Sequence, residues 1–101
     1  MFQKGDNLLF LNKKNVLITG GTGSFGKQFL KSLLSTKVSE IRIFSRDENK
    51  QDEMRSKISD ARIKYFIGDV SDEKSLIKAS MNVDYIFHAA ALKQVPSCEF
   101  H

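Results

Sequence analysis

The feature that most constrains this chain is residues 16–26, where Val16-Leu17-Ile18-Thr19 runs straight into Gly20-Gly21-Thr22-Gly23-Ser24-Phe25-Gly26. The run is apolar without alternation, as in a parallel strand buried on both faces. The segment after the glycines has helical periodicity, with Phe25, Phe29, Leu30, Leu33 and Leu34 along one stripe. Strand, glycine turn and helix together let backbone approach a pyrophosphate at a helix N-terminus. The spacing is G-x-x-G-x-x-G at Gly20, Gly23 and Gly26, not the standard G-x-G-x-x-G. Gly20 allows the tight exit from the strand, Gly23 leaves no Cβ where a phosphate sits, and Gly26 lets the helix pack closely. A glycine repeat alone is also compatible with a purely structural turn; the strand before it and the helix after it favour phosphate binding.

The rest of the chain repeats the alternation. Ile41-Arg42-Ile43-Phe44, Ile63-Lys64-Tyr65-Phe66-Ile67 and Val83–His88 read as further strands. Between them lie a charged helix over residues 47–59, with Met54 and Ile58 as its large apolar residues, and a short helix capped by Ser71 with Leu76, Ile77 and Ala79 inward. Ser45 and Glu48 have capping-box spacing for the charged helix. Alternating strands and helices predict an α/β fold, a Rossmann-type doubly wound parallel sheet. Right-handed crossovers give the partial strand order 3-2-1-4. Residues 1–14 form a polar lead-in, and 15–101 the amino-terminal part of a dinucleotide-binding domain.

That topology brings four loops to one rim: 20–26, 45–48, 68–70 and 88–93. Ser45 and Arg46 suit the 2′-phosphate of NADP by hydrogen bond and charge, with Lys50 adding charge one turn on. NADP is therefore expected ahead of NAD, although Arg46 and Asp47 also read as a solvated surface pair. Asp69 is placed to reach an adenine edge and equally to cap the next helix, with Val70 presenting backbone. Ala89-Ala90-Ala91 would let a flat nicotinamide half lie against backbone, or simply pack tightly. Lys93 suits a cofactor ribose or substrate phosphate, or is an ordinary surface lysine. His88 reads as a packed strand residue, and Cys98 as a small half-buried one with no base beside it.

Composition narrows the classes. The 101 residues carry a net charge of +4, with Lys and Arg spread along the chain rather than clustered, which argues against nucleic-acid binding. One cysteine precludes an internal disulfide, no run is long enough to span a membrane, and Leu8–Leu11 is too short for a signal-peptide core. A cytoplasmic protein without a metal site is expected.

Taken together, Thr19–Gly26, Phe44–Glu48 with Lys50-Gln51 and Met54-Arg55, Phe66–Val70 and His88–Glu99 resemble the extended short-chain dehydrogenase/reductases of polysaccharide biosynthesis. Within these, they are similar to the inverting UDP-N-acetylglucosamine 4,6-dehydratases. Ser71 departs from the arginine usual there. The resemblance implies that Thr22, Gly23, Ser24 and Phe25 bind cofactor phosphates. It places Ser45, Arg46, Asp47, Glu48 and Lys50 at the adenosine end, Asp69 and Val70 at the adenine, and Ala89 and Lys93 on the nicotinamide side, with Lys93 also toward substrate. It further implies a lyase reaction: oxidation at the sugar 4-position, loss of water across positions 5 and 6, and return of the hydride. The family's Tyr-x-x-x-Lys, or its methionine variant, does not occur up to His101, so the catalytic residues are expected beyond His101. The chain is accordingly expected to be the amino-terminal piece of a longer, homo-oligomeric enzyme, and inactive alone. A nucleotide-sugar epimerase piece and a non-catalytic dinucleotide sensor are the other readings.

Overall fold

A computed structural model of the protein describes residues 8–89. Within them a four-stranded parallel sheet has the order β3-β2-β1-β4, from β1 (Asn15–Thr19), β2 (Glu40–Ser45), β3 (Ile63–Ile67) and β4 (Tyr85–His88). The expected doubly wound order is therefore observed. Helix α1 (Ser24–Leu34) follows β1, α2 (Glu48–Lys57) follows β2 and α3 (Glu73–Ser80) follows β3.

The sheet is covered on both faces because its central strands are apolar on both. Val16, Ile18, Ile41, Ile43 and Phe87 turn to one side and pack with Phe25, Phe29, Leu30 and Leu33 of α1 and Met54 of α2. Leu17 and Phe44 turn to the other side and meet Ala79, with Leu76 half-buried beside them. The α1 stripe is the one the periodicity marks. The lead-in contributes to this core as well: Leu8 and Leu11 are buried around a single 3-10 turn, Leu9–Leu11, and Phe10 meets Tyr85 edge-on at 5.4 Å.

Four expectations are corrected. Asp47, not Ser45, caps α2, accepting from the Lys50 N–H at 3.2 Å, and the helix stops at Lys57. Ser45 is unavailable because it is the last residue of β2, paired with Ile67. Asp72, not Ser71, caps α3, because Ser71 gives both its N–H and its hydroxyl to Asp69 at 2.9 Å. Ile77 is 58% exposed rather than inward; on this short helix only the Leu76–Ala79 side meets the sheet. Strand β4 starts at Tyr85, two residues late, because Asp84 turns to accept from the Asn15 N–H at 2.8 Å.

Arg62 ties the far end of α1 down. Its guanidinium donates to the carbonyls of Leu34, Thr36 and Val38 while pairing with Asp60. These are the last carbonyls of a helix and the turn after it, which have no partner within the helix.

Candidate cofactor site

The carboxyl ends of the strands open onto a cleft of ≈ 680 Å³ lined by Thr19, Gly20, Thr22, Gly23, Phe44–Asp47, Lys50, Gly68–Val70 and His88. Its volume lies in the range of small-molecule and cofactor sites. It sits where the strand order reverses, since β1 pairs with both β2 and β4. That switch point is where open α/β sheets bind ligands.

The glycine turn forms one wall. Gly20 has φ 66°, a left-handed conformation that a side chain would strain. Gly23 precedes α1 as its N-cap, and no side chain caps the helix. Among the described residues the first-turn amides thus have no side-chain acceptor, and they follow directly on Thr22 and Gly23 of the cleft wall, at the positive end of the helix dipole. A Cβ on Gly23 would meet only the Gly20 carbonyl, at 3.5 Å, so this surface is open. Gly26 is different in kind: a Cβ there would lie 2.6 Å from the Gly21 Cα and carbonyl oxygen. It holds helix against turn, as its spacing predicts. Gly21 and Gly68, which the spacing does not mark, are also crowded, but by side chains, Ile43 at 2.9 Å and Phe44 at 2.7 Å, rather than by main chain.

The opposite wall carries charge. Arg46 is 78% exposed and lies 3.6 Å from Asp69. Asp69 is held below its ordinary pKa, first by the Ser71 N–H, then by the Ser71 hydroxyl, with Arg46 adding to it. So exposed a pair is worth little and can rearrange around an incoming anion. Behind it, Ser45 is 8% exposed and the neighbouring Gln51 is 1% exposed, its amide bonded to Ser45 and to the Phe66 carbonyl.

The sequence-derived residues divide accordingly. The cleft gathers Gly20, Thr22, Gly23, Ser45, Arg46, Asp47, Lys50, Asp69 and Val70. Phe25 turns its ring into the core, and Ala89 is buried there. Ser24 and Gly26 lie in the first turn of α1, and Glu48 lies on the outer side of the α2 N-terminus. Ala90 and Lys93, with Cys98, are outside the described residues. His101 is outside them too, so the described fold does not bear on the expectation that the catalytic residues follow it. His88 is, as expected, a packed residue of a strand, the half-buried end of β4, and it also lines the cleft, its Nδ1 2.8 Å from the Thr19 hydroxyl. Thr19 and His88 are register partners at the ends of β1 and β4, so once the strand order is known their meeting follows.

A glycine turn with helix amides beside it and two cations, Arg46 and Lys50, opposite fits the phosphates of a phosphorylated dinucleotide. Among the described residues there is no group of three or more His, Cys, Asp or Glu that could hold a metal. No helix there is long and apolar enough to cross a membrane.

Comparison with known proteins agrees with this geometry. A family described as polysaccharide biosynthesis protein matches residues 16–101. A UDP-glucose 4-epimerase of Rickettsia akari is 56% identical over 92 residues, 87% of this chain and 27% of the relative. Among solved structures, Pen from Bacillus thuringiensis superposes with a TM-score of 0.76 at 41% identity, covering 79% of this chain and 25% of that one. The Bordetella bronchiseptica enzyme WbmF, solved with NAD+, has a TM-score of 0.62 at 20% identity over 78% of this chain and 24% of its own, a likeness of fold alone. The chain thus spans about a quarter of the length of its relatives, and with its glycine turn, its sheet order and the match over residues 16–101 it belongs to the polysaccharide biosynthesis protein family.

Proposed function

We propose that this chain is the cofactor-binding portion of a nucleotide-sugar enzyme and holds a nicotinamide dinucleotide, NADP ahead of NAD, at the carboxyl rim of its sheet. One observation carries the reading: the uncapped N-terminus of α1, approached through Gly20 at φ 66°, faces Arg46 and Lys50 across the cleft. Thr22, Gly23, Ser24 and Phe25 take the pyrophosphate, Gly23 by the open surface it leaves, since its own N–H donates to the Gly20 carbonyl at 3.2 Å. Ser45, Arg46 and Lys50 take the ribose phosphate, with Asp47 and Glu48 framing that end. Asp69 and Val70 border the adenine. Ala89, Ala90 and Lys93 are assigned to the nicotinamide side, Lys93 toward the sugar nucleotide as well. When bound, the nicotinamide ring supplies a hydride acceptor and donor.

For a protein of the relatives' length, the reading is inverting 4,6-dehydration of UDP-N-acetylglucosamine in surface-polysaccharide biosynthesis. The motif from His88 to Glu99 supports it. The name of the Rickettsia akari relative favours a second reading, 4-epimerisation of a UDP-sugar. No catalytic residue is assigned from Met1 to His101, so the chain alone is inactive on either substrate.

A chimera tests whether this chain serves such an enzyme. This chain replaces the matching stretch of the Rickettsia akari relative and is incubated with UDP-N-acetylglucosamine and with UDP-glucose. Turnover, whether to a product lighter by one water or to an isomer of equal mass, supports the reading of a cofactor-binding portion; no turnover where the relative itself is active overturns it. A parallel NADPH fluorescence titration of the 101-residue chain tests the cofactor role, which an absence of binding would overturn.

A further inference from the structure

Gln51 is a buried polar side chain that the proposed cofactor contacts do not use. It sits on the core side of α2, 1% exposed, beneath the wall carrying Ser45 and Arg46. Its Nε2 lies 2.8 Å from the Phe66 carbonyl oxygen, 2.9 Å from Ser45 Oγ and 3.5 Å from the Ser45 carbonyl oxygen. A carbonyl oxygen only accepts, so the amide atom facing Phe66 must be the nitrogen, and the orientation of the side chain is fixed. Both of its N–H groups are then engaged, one by Phe66 and one by Ser45 Oγ.

The consequence falls on Ser45. Its hydroxyl oxygen accepts from Gln51, so the hydroxyl hydrogen is turned elsewhere. That hydrogen has no acceptor among the described residues, and Ser45 lines the cleft. We infer that Gln51 is a positioning residue that holds the Ser45 hydroxyl as a hydrogen-bond donor toward the cleft, tuned to an anionic oxygen on the adenosine ribose. The inference rests on the cofactor role proposed above and deepens it. A serine free to rotate serves a ribose hydroxyl or a phosphate alike. One whose oxygen is already occupied offers a proton, which a phosphate oxygen takes more strongly than a neutral hydroxyl does. Gln51 also joins the carboxyl ends of β2 and β3 through Ser45 and Phe66, so the donor is fixed to the sheet rather than to a mobile loop.

The test measures NADPH and NADH dissociation constants of the 101-residue chain by fluorescence for four proteins: wild type, Ser45→Ala, Gln51→Met and the double variant. A lost charge-assisted hydrogen bond predicts about a tenfold fall in NADPH affinity in each single variant, with less than about a threefold fall for NADH. The double variant falls no further than Ser45→Ala alone. If Gln51→Met fails to fold, Gln51→Leu replaces it: it likewise removes both amide donors and adds no charge, so it should give the same selective loss. Equal loss for both nucleotides, or selectivity lost in Ser45→Ala and retained in the Gln51 variants, overturns the positioning role. Wild-type protein that binds neither nucleotide overturns the cofactor role itself, a distinct result.

Discussion

Replacing Gly26 and Gly23 by alanine separates two jobs within one turn. At Gly26 a methyl group would lie 2.6 Å from the Gly21 Cα and carbonyl oxygen and 2.7 Å from its carbonyl carbon. These are backbone atoms, so nothing can rotate away, and α1 must move off the turn by about 0.8 Å to restore ordinary contact near 3.4 Å. Overpacking of this kind costs about 1–3 kcal/mol, at the upper end when the neighbour is main chain. Alanine returns about 1 kcal/mol of helix propensity. The net loss is about 1–2 kcal/mol, roughly 5–15 °C in melting temperature for a domain of this size. The same shift displaces the helix amides, so nucleotide affinity falls about tenfold or more. At Gly23 the backbone, φ −76° and ψ 174°, is one that any residue adopts, and the nearest atom to a new Cβ is 3.5 Å away. The poorer N-cap and the stiffer unfolded chain cancel to within about 0.5 kcal/mol. The methyl group nonetheless occupies the open surface where a phosphate would rest. Gly23→Ala should therefore melt like wild type yet bind NADPH at least about tenfold more weakly. Urea or thermal unfolding and fluorescence titration on the same samples read both quantities. A Gly26→Ala protein as stable as wild type, or a Gly23→Ala protein that binds normally, would refute this division.

Asp60 is held below its ordinary pKa of 3.8 by hydrogen bonds from Arg62, the side-chain bonds first. A depressed folded-state pKa adds stability that is complete above the unfolded value and is lost as pH falls through the folded one. The stability gap between wild type and Asp60→Asn in urea should be full at pH 6 and should shrink as pH drops below about 3.8. Lys13 has φ 65° while its N–H bonds the Lys37 carbonyl. Lys13→Gly keeps that bond and relieves the left-handed strain, so it should raise stability by about 0.5–1 kcal/mol in chemical denaturation. The Tyr65 hydroxyl is buried without a hydrogen-bond partner among the described residues, and Tyr65→Phe should be neutral or stabilising by up to about 1 kcal/mol; a loss of more than that would point to a partner for the hydroxyl.

Most of the fold was legible because its signals are local. Apolar runs without alternation mark strands covered on both faces, and the Phe25–Phe29–Leu30–Leu33 stripe marks the helix that covers one of them. The helix caps were less legible. Ser45, Asp47, Ser71 and Asp72 are all good N-cap residues standing next to one another or nearly so, and spacing cannot choose among them. The choice is made by contacts outside the helix: Ser45 is drawn into β2 by pairing with β3, and Ser71 is engaged by Asp69. Ile77 escapes the pattern for a related reason. On an eight-residue helix three apolar residues span more of the surface than one sheet face can cover.

The site shows the same limit more sharply. Its glycines and charges can be read directly, because phosphate chemistry demands those residue types. Gln51 cannot, because a glutamine on a charged helix reads as solvated. Only the approach of β2 to β3 places the Phe66 carbonyl on one side of its amide and the Ser45 hydroxyl on the other, and only then does the direction of that hydroxyl follow. The proposed preference for NADP accordingly divides into a legible part and a hidden one. Arg46 supplies charge, but it is 78% exposed and already shared with Asp69, so by itself it discriminates weakly. A buried donor of fixed direction discriminates more strongly, since no solvent competes for it and no reorganisation is needed to aim it. Arg46→Ala should therefore weaken NADPH binding mainly at low salt, whereas Ser45→Ala should weaken it at low and high salt alike. Titration at about 20 mM and about 500 mM sodium chloride, on either side of effective screening, separates the two, and equal salt sensitivity in both variants would show that charge alone sets the preference.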